Sequence, residues 1–374
     1  MSRHAIHSSI PRWIAVIIWL PFLLLAACQQ QEEGRTAKSG SDTQLQRARE
    51  IAHRYVIVDT HIDVPYRLED DWEDLTKRAE RGNFDYARAK EGGLDGAFMS
   101  IYTPAELEWA GPGKAYAHAE KMIDHVEDLI RRAPDKFVLA TRPDDVLAAH
   151  RAGKIALAMG MENGAPIEGK LENLKHFYDR GIRYITLAHS KSNHLADSSY
   201  DSERPNGGLS DFGRRVVKEM NALGILVDLS HLSDAAASEI LRISPVPPIA
   251  SHSSVRHFTP GFERNLSDKL IRAIARHNGV IMINFGSAFL TNAANEYGKK
   301  QREAYEAWLK ETGSTDTPEN KEAFDQRYRT EHPYPYATVE DVVRHINHIV
   351  GIAGLPYVGI GSDFDGVGDS LPIG

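Results

Sequence analysis

Eight short apolar runs, spaced by longer amphipathic stretches, constrain the fold of this chain more than any other feature. They are Val56–Asp59 (VIVD), Ala97–Tyr102 (AFMSIY), Ile155–Met161 (IALAMGM), Tyr184–His189 (YITLAH), Ile225–His231 (ILVDLSH), Pro247–Ser253 (PPIASHS), Val280–Phe285 (VIMINF) and Tyr357–Asp363 (YVGIGSD). Runs that are apolar throughout belong to strands buried on both faces, which is the habit of parallel sheets. Helical patterns lie between them, for example Leu171–Arg180 and Gly213–Leu223, and each is followed by a glycine, Gly181 or Gly224, suited to a helix C-cap. Eight parallel strands with crossover helices close into a barrel. The expected fold is therefore α/β, one (β/α)8 TIM-type barrel over residues 47–374. A charged and then Tyr/Pro-rich stretch, about 291–338, reads as an insertion after the seventh strand that lies over one end of the barrel.

The polar residues fall where such a barrel needs them. The first run leads into Asp59-Thr60-His61-Ile62-Asp63, where His61 and Asp63, two apart in extended backbone, are expected to point the same way, and the third into Glu162-Asn163. The fourth reaches His189, the fifth His231, the sixth His252 and the eighth Asp363. In a closed barrel these C-terminal ends converge on one face, the face that carries barrel active sites. Cysteine cannot supply a metal site, because the chain has 1 Cys; it has 17 His. His61, Asp63, Glu162, His231 and His252 form a His/carboxylate set suited to zinc or a similar divalent ion. Five ligands exceed one tetrahedral zinc, so two metals sharing a carboxylate are expected, able to activate a hydroxide while polarising a carbonyl. His189 on the same face can donate to a developing oxyanion. Asp363 can shuttle a proton between nucleophile and leaving amine. Tyr102, read from its run alone, is equally a packed core tyrosine, and Arg264 a surface arginine. His53, His118, His125, His176, His277, His345 and His348 fall in helical stretches and are read as structural.

Net charge is −8, with a pI near 6.1, which offers no large basic field for nucleic acid. The N-terminus has a different character. Arg3, His4 and Arg12 precede an apolar run from Trp13 to Ala27 that ends Leu25-Ala26-Ala27-Cys28. This is the layout of an export signal, too short to read comfortably as a membrane span. Leu-Ala-Ala-Cys resembles a bacterial lipobox, so residues 1–27 are expected to be a lipoprotein signal peptide and Cys28 the lipidated residue. Residues 28–46 are polar and aperiodic, a flexible tether. The implied location is exported and lipid-anchored to a bacterial membrane; Gln29 after the cysteine favours the outer membrane by analogy.

Longer strings carry a family resemblance. HID at 61–63, GGLDGAFMSIYTP at 92–104, GMENG at 160–164, RYITLAHSKSNHLAD at 183–197, GLSDFGRRVVKEMNALGILVDLSH at 208–231, SHSS at 251–254, RN at 264–265 and GIGSDFDGV at 359–367 resemble, in this order, the membrane (renal-type) dipeptidases. The resemblance implies a barrel of the metal-dependent amidohydrolase kind and two Zn2+ per chain. It implies that His61 and Asp63 hold one metal, His231 and His252 the other, and that Glu162 bridges them. It further implies that His189, Arg264 and Tyr102 contact substrate, with Arg264 taking the C-terminal carboxylate, and that Asp363, His189 and Glu162 are the catalytic groups. The implied reaction is hydrolysis of dipeptides, including those with a C-terminal D-residue, and a homodimer is expected because family members often pair. Family chains continue well past the segment matching GSDFDG, whereas this one stops at Gly374. The expectation is a barrel truncated at its C-terminal end, with its last strand uncovered and no eighth helix. Two other readings remain open at this point: a different dinuclear-metal amidohydrolase (a deacetylase or amidase), and a catalytically impaired substrate-binding lipoprotein.

Overall fold

The computed structural model describes residues 43–373. The expected signal peptide, Cys28 and most of the expected tether lie outside the described residues. The chain divides into two units, residues 1–55 and 56–374. In the first, a helix covers residues 43–54, so it takes in the last residues of the stretch read as tether. Among the described residues no helix is long and apolar enough to cross a membrane.

The second unit is a ring of parallel strands. They are β1 (Val58–Ile62), β2 (Gly96–Tyr102), β3 (Phe137–Leu139), β4 (Ile155–Glu162), β5 (Ile182–Thr186), β6 (Leu226–Asp228), β7 (Ile249–Ala250), β8 (Val280–Ile283) and β9 (Val358–Ile360). The pairing order is β2-β1-β9-β8-β7-β6-β5-β4-β3, and a further β2–β4 pairing closes the ring. The eight expected runs account for all eight strands of the ring. The ninth strand, β3, was not expected: β4 is eight residues long, and its first three residues pair with β3 while Met159 to Glu162 pair with β5. Three residues are too short a run to stand out in sequence.

Side-chain alternation sorts the ring into two layers. Met99, Ile101, Ile185, Val227, Ile281 and Ile283 belong to the main core that the outer helices cover. The opposite parity (Phe98, Tyr184, Leu226, Val280, Met282) forms a separate apolar cluster with Ile249. Followed two residues further toward the strand ends, that same inward parity becomes Ser100, Tyr102, Glu162, Thr186, Asp228 and Asn284. The ring is thus oily at one end and polar at the other. Gly160 is required here, since a Cβ would overlap the ring of Tyr184, its register partner on β5.

Between β8 and β9 run Ser287–Leu290, the helices Asn292–Thr312 and Pro318–Glu331, and then Val339–Ile352. Thr291 and Thr317 cap the two insertion helices through their hydroxyls. Tyr305, Trp308, Phe324 and Tyr328 pack ring against ring between them. The expected bare edge at the last strand is absent as a backbone feature, because β9 is hydrogen-bonded to both β1 and β8. Its outer face is only half covered: Val358 and Ile360 are half-buried, and Val343 and Leu355, from the helix and turn that lead into it, are exposed.

Candidate active site

Every strand-end residue singled out in the sequence reaches the polar mouth, although most lie beyond the strands proper. Glu162 is the last residue of β4, whereas His189 and His231 sit three residues past β5 and β6, and His252 two past β7. His61 and Asp63 were expected to point the same way along extended backbone. Instead β1 carries a register irregularity between Asp59 and Ile62, and Asp63 has already turned to N-cap the helix Val64–Asp70. The bulge and the turn together bring His61 Nε2 within 3.5 Å of Asp63 Oδ2. Four non-glycine residues at this mouth, Asn163, His231, Asp363 and Asp365, hold left-handed backbone with φ of 76°, 66°, 63° and 67°. Such residues cost roughly 1–3 kcal/mol each and persist where the surroundings fix them.

Glu162 is the hub. Its Oε2 lies 3.4 Å from His61 Nε2 and accepts from Ser100 Oγ at 3.1 Å. Its other oxygen, Oε1, faces His231 Nε2 at 3.0 Å, His252 Nε2 at 3.3 Å and His189 Nε2 at 3.7 Å. Burial alone would raise this carboxyl, but His61, His189, His231 and His252 hold it well below the usual carboxylate range. Three overlapping sets of potential ligands result: His61, Glu162 and His252; Glu162, His189 and His231; His61, Asp63 and Asp363.

The imidazoles are aimed from behind. Tyr184 donates its hydroxyl hydrogen to Thr60 O at 3.1 Å, so it can only accept from His61 Nδ1, 2.7 Å away. Nδ1 of His61 therefore carries hydrogen, and Nε2 faces the two carboxylates with no hydrogen-bond partner. Ser251 repeats the device: its hydroxyl donates to Asp228 Oδ2 at 2.6 Å and accepts from His252 Nδ1 at 2.7 Å. Asp228 is fully buried and also accepts from the backbone N–H groups of Ser230 and Ser251. Outer partners of this kind fix the tautomer and orientation of metal-binding histidines. Burial lowers the pKa values of His231 and His252, the latter to about 4, so both are neutral at pH 7, the form that can bind a cation. Burial also pushes His61 down, but Tyr184, Glu162 and Asp63 outweigh it and leave His61 raised. Nε2 of His61 thus sits where negative charge converges and positive charge is needed. The donor set fits two divalent cations sharing Glu162.

Asp363 is buried against this cluster. Burial raises its pKa to about 6, and the neighbouring Asp63 adds to the rise. Asn284 donates from Nδ2 to Asp363 Oδ2 at 2.6 Å, and its own Oδ1 accepts from Gly286 N. Gly366 leaves room beside both carboxyls, where a Cβ would overlap Asp63 and Asp363. Tyr102 packs edge-on to His189 at 4.8 Å; burial, then Glu162, raises its pKa, so it stays a hydroxyl donor.

These groups floor a cavity of about 920 Å³, walled by Tyr66, Tyr102, Tyr200 and Phe289 and rimmed by Lys191, Arg302, Arg329 and Tyr334. Arg264 behaves differently from the rest. It is buried, donates to Ser253 Oγ at 2.8 Å and to His252 O at 2.9 Å, and lies 5.3 Å from the centre of the Phe289 ring. It is not among the residues lining the cavity. Tyr184, Ser251, Asp228 and Asn284 were missed in the sequence, although strand alternation places Tyr184, Asp228 and Asn284 on the inward parity.

Comparison with known proteins agrees with this geometry. The family model for membrane dipeptidases (peptidase family M19) matches residues 45–372. An uncharacterised dipeptidase of Schizosaccharomyces pombe is 30% identical over 346 residues, covering 89% of this chain and 74% of that protein. Among solved structures, the probable dipeptidase PvdM from Pseudomonas aeruginosa aligns with a TM-score of 0.75 at 26% identity, over 87% of each chain. A metallo peptidase from Rhodobacter sphaeroides, liganded with a phosphinate mimic of L-Ala-D-Ala, aligns with a TM-score of 0.67 at 26% identity, over 85% of this chain and 87% of that one. A parallel barrel, a carboxylate hub facing histidines on both sides, and a match spanning nearly all the described residues converge on one assignment: the chain belongs to the membrane dipeptidase family, peptidase family M19, and is a peptide-bond hydrolase.

Proposed function

We propose that the chain is a zinc-dependent dipeptidase with two metal positions, cleaving dipeptides that include those with a C-terminal D-residue. The observation that carries this is the split of Glu162, with one oxygen toward His61 and the other toward His231 and His252. His61 and Asp63 would hold one ion, His231 and His252 the other, and Glu162 both. Bound there, the two ions supply an activated water and a polarised carbonyl.

The chain's own residues do the rest. Asp363, with its pKa near neutrality, takes a proton from the attacking water and hands it to the departing amine. Asn284 holds one Asp363 oxygen, leaving the other to face the site. His189 and Tyr102 present hydrogen-bond donors to the oxyanion that develops on the carbonyl. Arg264 stands just behind the cavity lining: two of its N–H donors are used on Ser253 and His252, its Nε is buried without a partner, and its charge acts on the Tyr200 hydroxyl of the cavity wall, so its remaining donors would be the partner for the substrate's α-carboxylate. A fixed carboxylate partner limits substrates to two residues, since a longer chain has no carboxylate at that distance. The D-residue preference draws support from the ligand of the Rhodobacter sphaeroides relative, a mimic of L-Ala-D-Ala. The lipobox-like stretch ending at Cys28 supports export and acyl anchoring to a bacterial membrane.

The test is metal content together with hydrolysis of an L-Xaa-D-Xaa panel, before and after chelation. Two metals per chain and chelator-sensitive cleavage of dipeptides but not tripeptides are expected. Equal cleavage of tripeptides, or turnover that survives removal of metal, would overturn the reading.

A further inference from the structure

The proposed reaction uses the floor of the cavity and leaves the rim without a role. That rim carries three cations: Lys191 after β5, and Arg302 and Arg329 from the two insertion helices. Two of them have an acidic neighbour. Lys191 Nζ lies 3.8 Å from Asp201 Oδ1, and Arg329 NH1 lies 3.8 Å from Asp369 Oδ2 with its guanidinium 5.7 Å from the Tyr334 ring centre.

Arg302 is the exception. It is exposed and makes no ion pair or hydrogen bond among the described residues. Glu306 stands one turn on, where a helix normally offers an i,i+4 partner, and does not pair with it. The acids of the cavity wall are engaged elsewhere: Asp365 with Arg67 and the Asn83 backbone, Asp369 with Arg329 and the Tyr336 hydroxyl. The charge of Arg302 is nevertheless felt inside, where it opposes the rise that burial imposes on the Tyr200 hydroxyl of the cavity wall.

We propose that Arg302 is an anion subsite at the rim of the cavity, selecting dipeptides that carry a side-chain carboxylate, that is, an Asp or Glu residue. The inference rests on the dipeptidase reading above and names its substrate class. A dipeptide brings two kinds of anionic group. The α-carboxylate is assigned to Arg264 on the buried side, so the carboxylate left for Arg302 is that of a side chain. A guanidinium is suited to this task, since its planar fork matches a carboxylate with two parallel hydrogen bonds. Because Arg302 is solvent-exposed and contacts none of the residues assigned to the reaction, it contributes equally to ground and transition states, and its effect belongs in KM and weakens with salt.

The experiment uses the full chain loaded with zinc and pairs of substrates that differ only in charge: L-Ala-D-Glu against L-Ala-D-Gln, and L-Glu-D-Ala against L-Gln-D-Ala. In one pair the Glu member should have a kcat/KM about five- to tenfold higher, carried by KM. The preference should shrink at about 0.5 M salt, where the screening length is roughly 4 Å. Arg302→Gln should erase the difference, Arg302→Lys retain part of it, and Arg302→Glu reverse it, all with an unchanged melting temperature. Equal rates within both pairs, or a preference that survives Arg302→Gln, overturns the subsite. If no dipeptide is cleaved at all, the dipeptidase reading fails instead, and calorimetric binding of the same pairs then decides on Arg302 independently: tighter binding of the Glu member upholds the subsite and equal binding removes it.

Discussion

The floor and the rim of the cavity are built on opposite plans. On the floor, His61, Glu162, His231 and His252 are each at most 6% exposed, and His61 and His252 are fixed from behind by a hydroxyl that has spent its own hydrogen elsewhere. On the rim, Lys191, Arg302 and Arg329 are long side chains, two of them from an insertion whose two long helices share an aromatic cluster. Chemistry that needs positions held to within about half an ångström is placed on strand ends with a second layer behind them. Recognition that needs only charge near the entrance is placed on an appendage. The two regions should therefore answer mutation very differently.

The largest effect belongs to the hub. Glu162→Gln keeps the size of the side chain but removes the charge that faces histidines on both sides, and the loss of one or both ions and of nearly all turnover is expected, at least about a hundredfold. Metal analysis and kcat on the purified variant decide it. Two ions retained with normal rates would remove the bridging role and, with it, the contrast between floor and rim.

Tyr184→Phe is a finer cut at the same floor. It preserves the ring that fills the barrel under Gly160 and deletes only the oxygen that accepts from His61 Nδ1. Loss of an outer partner costs roughly 10–100-fold in metal affinity. Titration against a competing chelator should show that loss with the melting temperature of the metal-free chain nearly unchanged. An unaltered affinity would mean that the tautomer of His61 is set by the ions themselves.

Between the two regions stands His345, on the helix that follows the insertion. Its Nδ1 accepts from Val255 N at 3.0 Å, and its Nε2 donates to Leu290 O at 2.9 Å, so it ties the loop after His252 to the start of the insertion as a neutral ring. Burial, only partly opposed by the Leu290 carbonyl, presses its pKa down to about 4 from an ordinary 6.5. Between these values the unfolded chain binds a proton that the folded chain refuses, so stability falls as pH drops through that window. Going from pH 7 to pH 5 should cost the metal-free protein about 2 kcal/mol through this residue. Urea melts of the wild type and of His345→Gln at both pH values measure it. Equal pH slopes in the two proteins would show that the ring is not refusing the proton.

How much of this could be seen in the sequence follows the same division. The barrel strands were legible because strands buried on both faces are apolar without interruption, and the floor ligands because they follow those strands directly. Tyr184, Ser251 and Asp228 were hidden for a specific reason. They look like ordinary strand residues until alternation is carried from one strand to the next and Glu162, Thr186 and Asp228 are seen to share a layer. Asp63 was placed correctly in space but for the wrong local reason, since a helix start and not an extended strand aims it. Arg264 was recognisable only by resemblance, and its burial behind His252 had no signal in composition or spacing. The rim was the least legible part, because nothing in the spacing of Arg302 and Arg329 refers to the barrel; only the folded insertion brings them to the cavity.

The smallest effect completes the comparison. Lys321 and Asp325 form an i,i+4 ion pair on the outer insertion helix, with side chains 43% and 30% exposed. An exposed helical pair contributes about 0.3–0.5 kcal/mol at low salt. Lys321 also lies 5.2 Å from the centre of the Tyr305 ring, within the aromatic cluster that holds the two insertion helices together. Lys321→Ala should therefore lower stability by less than about 1 kcal/mol and leave metal content untouched. If that change at the far side of the insertion reduced kcat as strongly as Tyr184→Phe, the insertion would have to be a structural support of the floor rather than an appendage to it, and the separation between chemistry and recognition would not hold.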